Sequence, residues 1–363
     1  MMQWFRAWAC RLAGLALMGL AAGCQTQPGS GNVVQAPAAP VTAIQLALPQ
    51  AWGGDLRCTP GQCLLGAVEH ESGKLNLLRL QGRSAMLLDQ QAVAYHPDSA
   101  AWLSDDWLTA AVEASSSLDI FRVSVGHMAP VHRVALGFAP RDVIVLAAQN
   151  GQYRLLATPY SGNKVAIVDW SEGSPTVDKV RASAWCEAPW HPTRVRQLPG
   201  GPGGGVAVAC LDDKKVVAVS EADLYAQPRT LASFDAIPRQ VRPSPSGAWL
   251  YVALETGGRN ARIDMHTGEL QWIKAAPTGS VGVAVLADDL VIWGDSGLLT
   301  LQRLGSHAEV LETRALRTSG FSTNVRLQDI DGDGQTDALV LNSAGERSDV
   351  LYGPLWERAQ PQP

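Results

Sequence analysis

Residues 244–270 read SPSGAWLYVALETGGRNARIDMHTGEL. The run WLYVALE (249–255) is apolar and rich in aromatic and branched side chains, the residues that pack best on a pleated surface. Thr-Gly-Gly follows at 256–258 and reverses the chain, and NARIDMH (260–266) returns as a second strand. A second reversal at Thr-Gly (267–268) leads into ELQWIKAA (269–276). Upstream, PRQVRPSP (238–245) opens the unit at a proline. Four short strands joined by tight turns are therefore expected over about forty residues.

The same frame recurs along the chain. Copies read LLGAVEHESGKLNLLRL (64–80), WLTAAVEASSSLDIFRVS (107–124), YRLLATPYSGNKVAIVDW (153–170) and GVAVACLDDKKVVAVS (205–220). After the stretch above come LVIWGDSGLLTLQRL (290–304) and DALVLNSAGERSDVLYG (337–353). Aligned on Ala67, Ala111, Ala157, Ala209, Ala253, Ile292 and Leu341, the steps are 44, 46, 52, 44, 39 and 49 residues. That period suits a four-stranded blade and predicts an all-β, seven-bladed propeller. The seventh frame lacks an outer strand, because only PLWERAQPQP follows it, while VTAIQLAL (41–48) has no blade of its own. An open sheet edge is sticky, so the N-terminal strand is expected to complete the last blade and close the ring. The 244–270 unit, with its Pro-Ser-Gly turn, LYV strand and ID-x-x-TG-E ending, resembles a YVTN-type propeller repeat. That resemblance implies a fold and no one activity, since YVTN-like repeats occur in lactonases and in surface proteins alike.

The first residues read as a targeting segment. Arg6 and Arg11 precede an apolar run, Leu12 to Gly23, too short to span a bilayer. The run ends AAGC at Ala21 to Cys24, which resembles a bacterial lipobox, with Ala where Leu is commoner. The resemblance implies a lipoprotein signal peptide over 1–23, cleavage, and lipid on Cys24. Gln25 in the next position implies outer-membrane sorting, with either a periplasmic or a surface orientation open. The alternative is an ordinary secretory signal. Residues 24–40 are rich in Pro, Gly, Gln and Ala and read as a tether; the body is expected over 41–358. A net charge of -5 gives no bulk attraction to nucleic acid, and the lipid would be the sole membrane attachment.

Cys58, Cys63, Cys186 and Cys210 remain in the body. Three pairings are possible. The turn Thr-Pro-Gly-Gln brings Cys58 to face Cys63 across a hairpin, leaving Cys186 to pair with Cys210. These spacings do not suit a metal cluster.

The sharpest chemical motif is DIDGDGQTD. Asp329, Asp331, Asp333 and Asp337 can offer side-chain oxygens to one hard cation, and Gln335 a backbone carbonyl, with Gly332 and Gly334 permitting the turn. Val340 stands where an EF-hand has Glu. With its flanking strands the motif resembles the FG-GAP or VCBS calcium hairpin, which implies structural Ca2+.

A second constellation lies on strands expected to be innermost. Aligning Val195, Val241 and Val325 places Arg196, Arg242 and Arg326 at one level, and Arg194, Gln240 and Asn324 two residues earlier. Side chains two apart share a strand face, so an arginine-lined channel is expected. Guanidiniums suit carboxylate or phosphate. The competing reading pairs them with acids between blades. His96 and His191 each precede a proline at the same blade position, which reads as a structural repeat rather than a metal pair. Trp102, Trp107, Trp185, Trp190, Trp249 and Trp272 read as blade packing, with a contact rim as the sharper alternative. No GxSxG, Walker, GxGxxG or HExxH motif is present, and no catalytic residue is assigned. The sequence therefore points to a lipid-anchored envelope module for binding or scaffolding, with an envelope protein or an anionic ligand as partner. The alternative is a YVTN-like hydrolase or lactonase. A histidine–carboxylate cluster at the channel mouth would favour that alternative; the arginines favour anion or partner binding.

Overall fold

The computed structural model describes residues 43–173, 179–201, 203–274 and 279–356. The leader, Cys24 and the tether lie outside the described residues. No helix among the described residues is long and apolar enough to cross a membrane. The fold is an all-β propeller built from six antiparallel sheets, five of four strands and one of six.

Each four-stranded sheet follows the expected parse. The fifth sheet runs Pro238–Pro243, Trp249–Leu254, Asn260–Asp264 and Leu270–Ile273, in sequence order across the sheet. First strands of neighbouring sheets contact one another, so they surround the axis. Between the sheets lie apolar clusters. Leu118, Ile120, Leu155 and Val168 fill the gap between the second and third, and Val206 and Val208 pack with Leu156 and Ile167 between the third and fourth. Burying such side chains contributes about 1.5–3 kcal/mol each.

Six sheets replace the seven blades expected. Leu290–Leu304 and Val310–Gln328 are long strands that run through the boundary between the last two frames. The first part of Val310–Gln328 pairs with Leu298–Leu304, and Ser322–Gln328 pairs with Asp337–Asn342. The last two frames thus share one hydrogen-bonded sheet. That sheet also carries an internal apolar cluster, in which Ile292, Leu299 and Leu301 pack with Val325, Ala338 and Val340. Its outer edge is Ala43–Leu46, antiparallel to Ser348–Leu351 from Ala43↔Leu351 to Leu46↔Ser348. Leu46 and Leu48 are buried beside Leu65 and Leu80 of the first sheet and Leu339 and Leu341 of the sixth.

Cys58 is bonded to Cys63 and Cys186 to Cys210, the pairing the turn at 59–62 suggested. The first bond ties a hairpin in which the two cysteines face each other directly. The second ties the loop before the fourth sheet to the end of its second strand.

Candidate functional site

One irregularity repeats around the axis. The first strand of each four-stranded sheet, and Val310–Gln328 in the sixth, slips register by one residue against its neighbour. The slips fall between Ala51 and Gly53, Pro97 and Ser99, Pro140 and Asp142, Trp190 and Thr193, Pro238 and Gln240, and Ser322 and Asn324. A β-bulge leaves its extra residue unpaired and re-aims the side chain. The extra residues are Trp52, Asp98, Arg141, one of His191 and Pro192, Arg239 and Thr323. Several meet. Arg141 lies 4.2 Å from the Trp52 ring and 4.1 Å from the Trp190 ring, and donates to Asp98 at 3.1 Å. Arg141 therefore joins four sheets. Arg239 lies over the other reach of Trp190 at 5.2 Å and is paired with Glu255 at 2.9 Å. Burial and the like charge of Arg141 lower the pKa of Arg239 against the pull of Glu255.

Next to this ring of bulged residues the first strands enclose a cavity of about 410 Å³, lined in part by Ser99, Asp142, His191, Arg242, Asn324 and Arg326. Arg242 and Arg326 are at one level of the ring, opposite Tyr251 and Leu339 on their second strands. Burial and the charge of Arg326 push Arg242 down to about 9, with Asp142 acting in the other direction. Arg242 donates to the Val241 carbonyl at 3.0 Å and Arg326 to the Gly54 carbonyl at 3.2 Å. Neither forms an ion pair with a carboxylate among the described residues. The nearby carboxylate, Asp142, is held by His191, whose backbone N–H donates at 2.9 Å and whose Nδ1 lies 3.5 Å away. Burial raises the Asp142 pKa, but His191 and Arg141 outweigh it and hold the group well below the usual range. Asn324 is buried, and its Oδ1 has no hydrogen-bond partner among the described residues.

The other expected channel residues differ in placement: Arg194 lines the same cavity but is engaged by an acid, while Arg196 and Gln240 lie off it. Arg194 is exposed and its guanidinium is bound bidentately by Glu221, at 2.6 and 3.0 Å. Arg196 is exposed and packs beside Gly247, in a separate cleft. The choice of Val195 as the aligned valine explains this, because the residue before Thr193, not Val195, stands at the level of Val241. Thr193, opposite Ala207, occupies the level of Arg242 and Arg326, so both arginines of this strand lie three residues beyond their expected level. Gln240 is fully buried and its Oε1 accepts the Val283 N–H at 2.6 Å, bridging the fifth and sixth sheets.

His96 and His191 share a left-handed backbone, with φ of 57° and 50°. They enter different constellations. His96 stacks on His70 at 4.1 Å, and His70 on Trp52 at 4.3 Å. His70 Nδ1 lies 3.1 Å from Asp98 Oδ1, and His96 Nδ1 3.5 Å from Glu113. Burial and the charge of Asp98 raise the Glu113 pKa, opposed by His96, His70 and Arg141. The sequence reading missed this histidine–carboxylate cluster. The residue following each strand-opening proline, as in Pro97-Asp98 and Pro140-Arg141, was its visible trace. Of the tryptophans, Trp190 joins the mouth, while Trp107 packs on Trp170 and Trp185 is buried between sheets.

In the acidic turn, Asp329, Asp331 and Asp333 have carboxylate oxygens within 4.8 Å of one another. Gly332 and Gly334 both take φ of 82°, the left-handed turn the motif requires. Asp337 is fully buried and faces inward: its oxygens accept the Ile330 N–H and the Gly353 N–H, each at 2.7 Å. Burial and Asp331 raise its pKa against these donors. Gln335 is exposed, and its N–H donates to Asp333 at 2.8 Å. Asp331 also meets Arg83 at 3.3 Å.

No family model and no curated protein matches the chain. Solved structures do. Virginiamycin B lyase from Staphylococcus aureus aligns with a TM-score of 0.61 at 11% identity, over 86% of this chain and 98% of that one. A candidate 6-phosphogluconolactonase from Bacteroides uniformis aligns with a TM-score of 0.55 at 15% identity, over 73% of this chain and 84% of that one. At such identities the likeness is one of fold: this chain is a β-propeller.

Proposed function

We propose that the protein is a lipid-anchored module of the cell envelope that binds an anionic ligand in its central channel. The observation that carries this reading is the pair Arg242 and Arg326. They sit at one level of a partly buried cavity and lack a carboxylate of their own among the described residues, and burial and the charge of Arg326 lower the pKa of Arg242. Two unpaired guanidiniums in a desolvated site are costly until an anion joins them. Carboxylate or phosphate, on a small molecule or an acidic loop of a partner, is the chemistry that fits. Lipid at Cys24 would hold the propeller at the membrane through the 24–40 tether, and Ca2+ at Asp329, Asp331 and Asp333 would neutralise the acidic turn beside the last strands. We place ring closure at Ala43–Leu46, supported by its pairing with Ser348–Leu351 and by Leu46 and Leu48 packing on the first sheet.

The test is isothermal titration with citrate, phosphate and a sugar phosphate against wild type and the Arg242→Gln, Arg326→Gln double variant. Binding by wild type that weakens with salt and is lost in the variant supports the reading. Equal affinities, or no binding of any anion, sinks it. A second reading, hydrolysis at the mouth, is favoured by the His70, Asp98 and Glu113 cluster beside this cavity. The two lyase- and lactonase-named structures lend it only a shared fold.

A further inference from the structure

We propose that His70, Asp98 and Glu113 form a binding site for one divalent transition-metal ion of the zinc class. The three residues come from three places: the end of Gln62–Glu69, the bulge opening Pro97–Trp102, and the turn after Trp107–Val112. Backbone hydrogen bonds fix them relative to one another. His70 N–H donates to the Gln50 carbonyl at 3.2 Å, His96 N–H to the His70 carbonyl at 3.2 Å, and Glu113 N–H to the His96 carbonyl at 2.9 Å. One donor atom from each of His70, Asp98 and Glu113 lies within 4.8 Å of the other two.

Two orphaned atoms point to a ligand among these groups. His70 and Asp98 are 5% and 4% exposed, and their Nδ1 and Oδ2 atoms have no hydrogen-bond partner among the described residues. His70 Nδ1 approaches Asp98 Oδ1 at 3.1 Å but without the geometry of a hydrogen bond. Burying a carboxylate oxygen and an imidazole nitrogen with nothing to bind is destabilising, and an ion would satisfy both.

The surroundings select the ion and its ligands. Imidazole with carboxylates suits zinc, manganese or ferrous iron, not a soft thiolate-seeking metal. Arg141 holds Asp98 Oδ1 at 3.1 Å, leaving Oδ2 for the ion, as outer-sphere donors commonly hold a ligand carboxylate. Asp98, Glu113 and nearby Glu71 against Arg141 leave two negative charges, which a divalent ion cancels. His96 is a positioning residue: its ring lies 4.1 Å from that of His70 at 10°, and an ion in the plane of one ring is out of the plane of the other.

The test is zinc and manganese titration of the full-length chain after chelator stripping, with excess Ca2+ present to saturate the acidic turn, and metal counted by mass spectrometry. Wild type should take up one equivalent. His70→Phe keeps a ring in the stack but removes both nitrogens, and Glu113→Gln keeps shape but removes charge. Each should weaken binding by about 100-fold or more, the upper end of what losing even an outer-sphere partner costs. If His70→Phe does not fold, Glu113→Gln, checked by circular dichroism, decides alone. No uptake by wild type, or one full equivalent retained by a folded Glu113→Gln variant, overturns the site.

Discussion

Replacing Arg242 by Met should stabilise the ligand-free protein while abolishing its response to anions. The Arg242 guanidinium is pushed well below its ordinary range, down to about 9, in the channel, first by burial and then by Arg326. At about 1.36 kcal/mol per pH unit that difference corresponds to a ceiling of about 5 kcal/mol. Arg242 is half-buried by surface area, so screening removes most of it; about 1–2 kcal/mol is expected. The sign follows from linkage. From about 9 up to the ordinary arginine range the unfolded chain holds the proton that the native channel sheds, so the contribution of Arg242 to stability rises with pH across that window. At neutral pH both states are charged and the whole penalty stands, so removing the charge raises stability. For a domain of this size about 1 kcal/mol moves the Tm by about 2 °C, giving a rise of about 2–4 °C. The assay is differential scanning fluorimetry at low salt with and without citrate or phosphate. Wild type should gain about 2.7 kcal/mol at a hundred times the Kd, and Arg242→Met far less. A variant that melts below wild type without anion and keeps the anion-dependent rise would refute the reasoning.

Three further outcomes are expected. Removing the Cys186–Cys210 bond, which spans 24 residues, should cost about 3.5 kcal/mol, against about 2 for Cys58–Cys63, which spans 5; chemical denaturation of the two double serine variants checks the order. Chelator should lower the Tm and added Ca2+ restore it, with Asp331→Asn insensitive to both; no shift in wild type would remove calcium from the acidic turn. Cys24→Ala should move the protein from the washed membrane fraction to the soluble one, and continued membrane association would place the anchor elsewhere.

The repeat was legible because burial imposes it. Each aligned position, from Ala67 to Leu341, is fully buried and pairs with the inner strand of its own frame. Local chemistry was legible too: the turn at 59–62 set the cysteine pairing, and the glycines of the acidic turn took the positive φ read from them. What failed was the register of one inner strand. Counting from Val195 set it three residues out, so Thr193, not Arg196, stands at the level of Arg242 and Arg326. Nothing in the sequence announces that Glu221, on the turn after Lys215–Ser220, takes Arg194, or that His70, Asp98, Glu113 and Arg141 meet from three sheets. Such contacts are set by the ring, which no local window contains. The sheet count differed for a related reason: a boundary between frames in sequence need not break a strand.

The most direct measurement is a crystal structure of the protein soaked in tungstate or selenate, read by anomalous scattering. The account predicts one peak in the channel, within hydrogen-bond distance of both Arg242 and Arg326, displaced by citrate. A channel without a peak, with the two guanidiniums still turned onto the Val241 and Gly54 carbonyls, would contradict it.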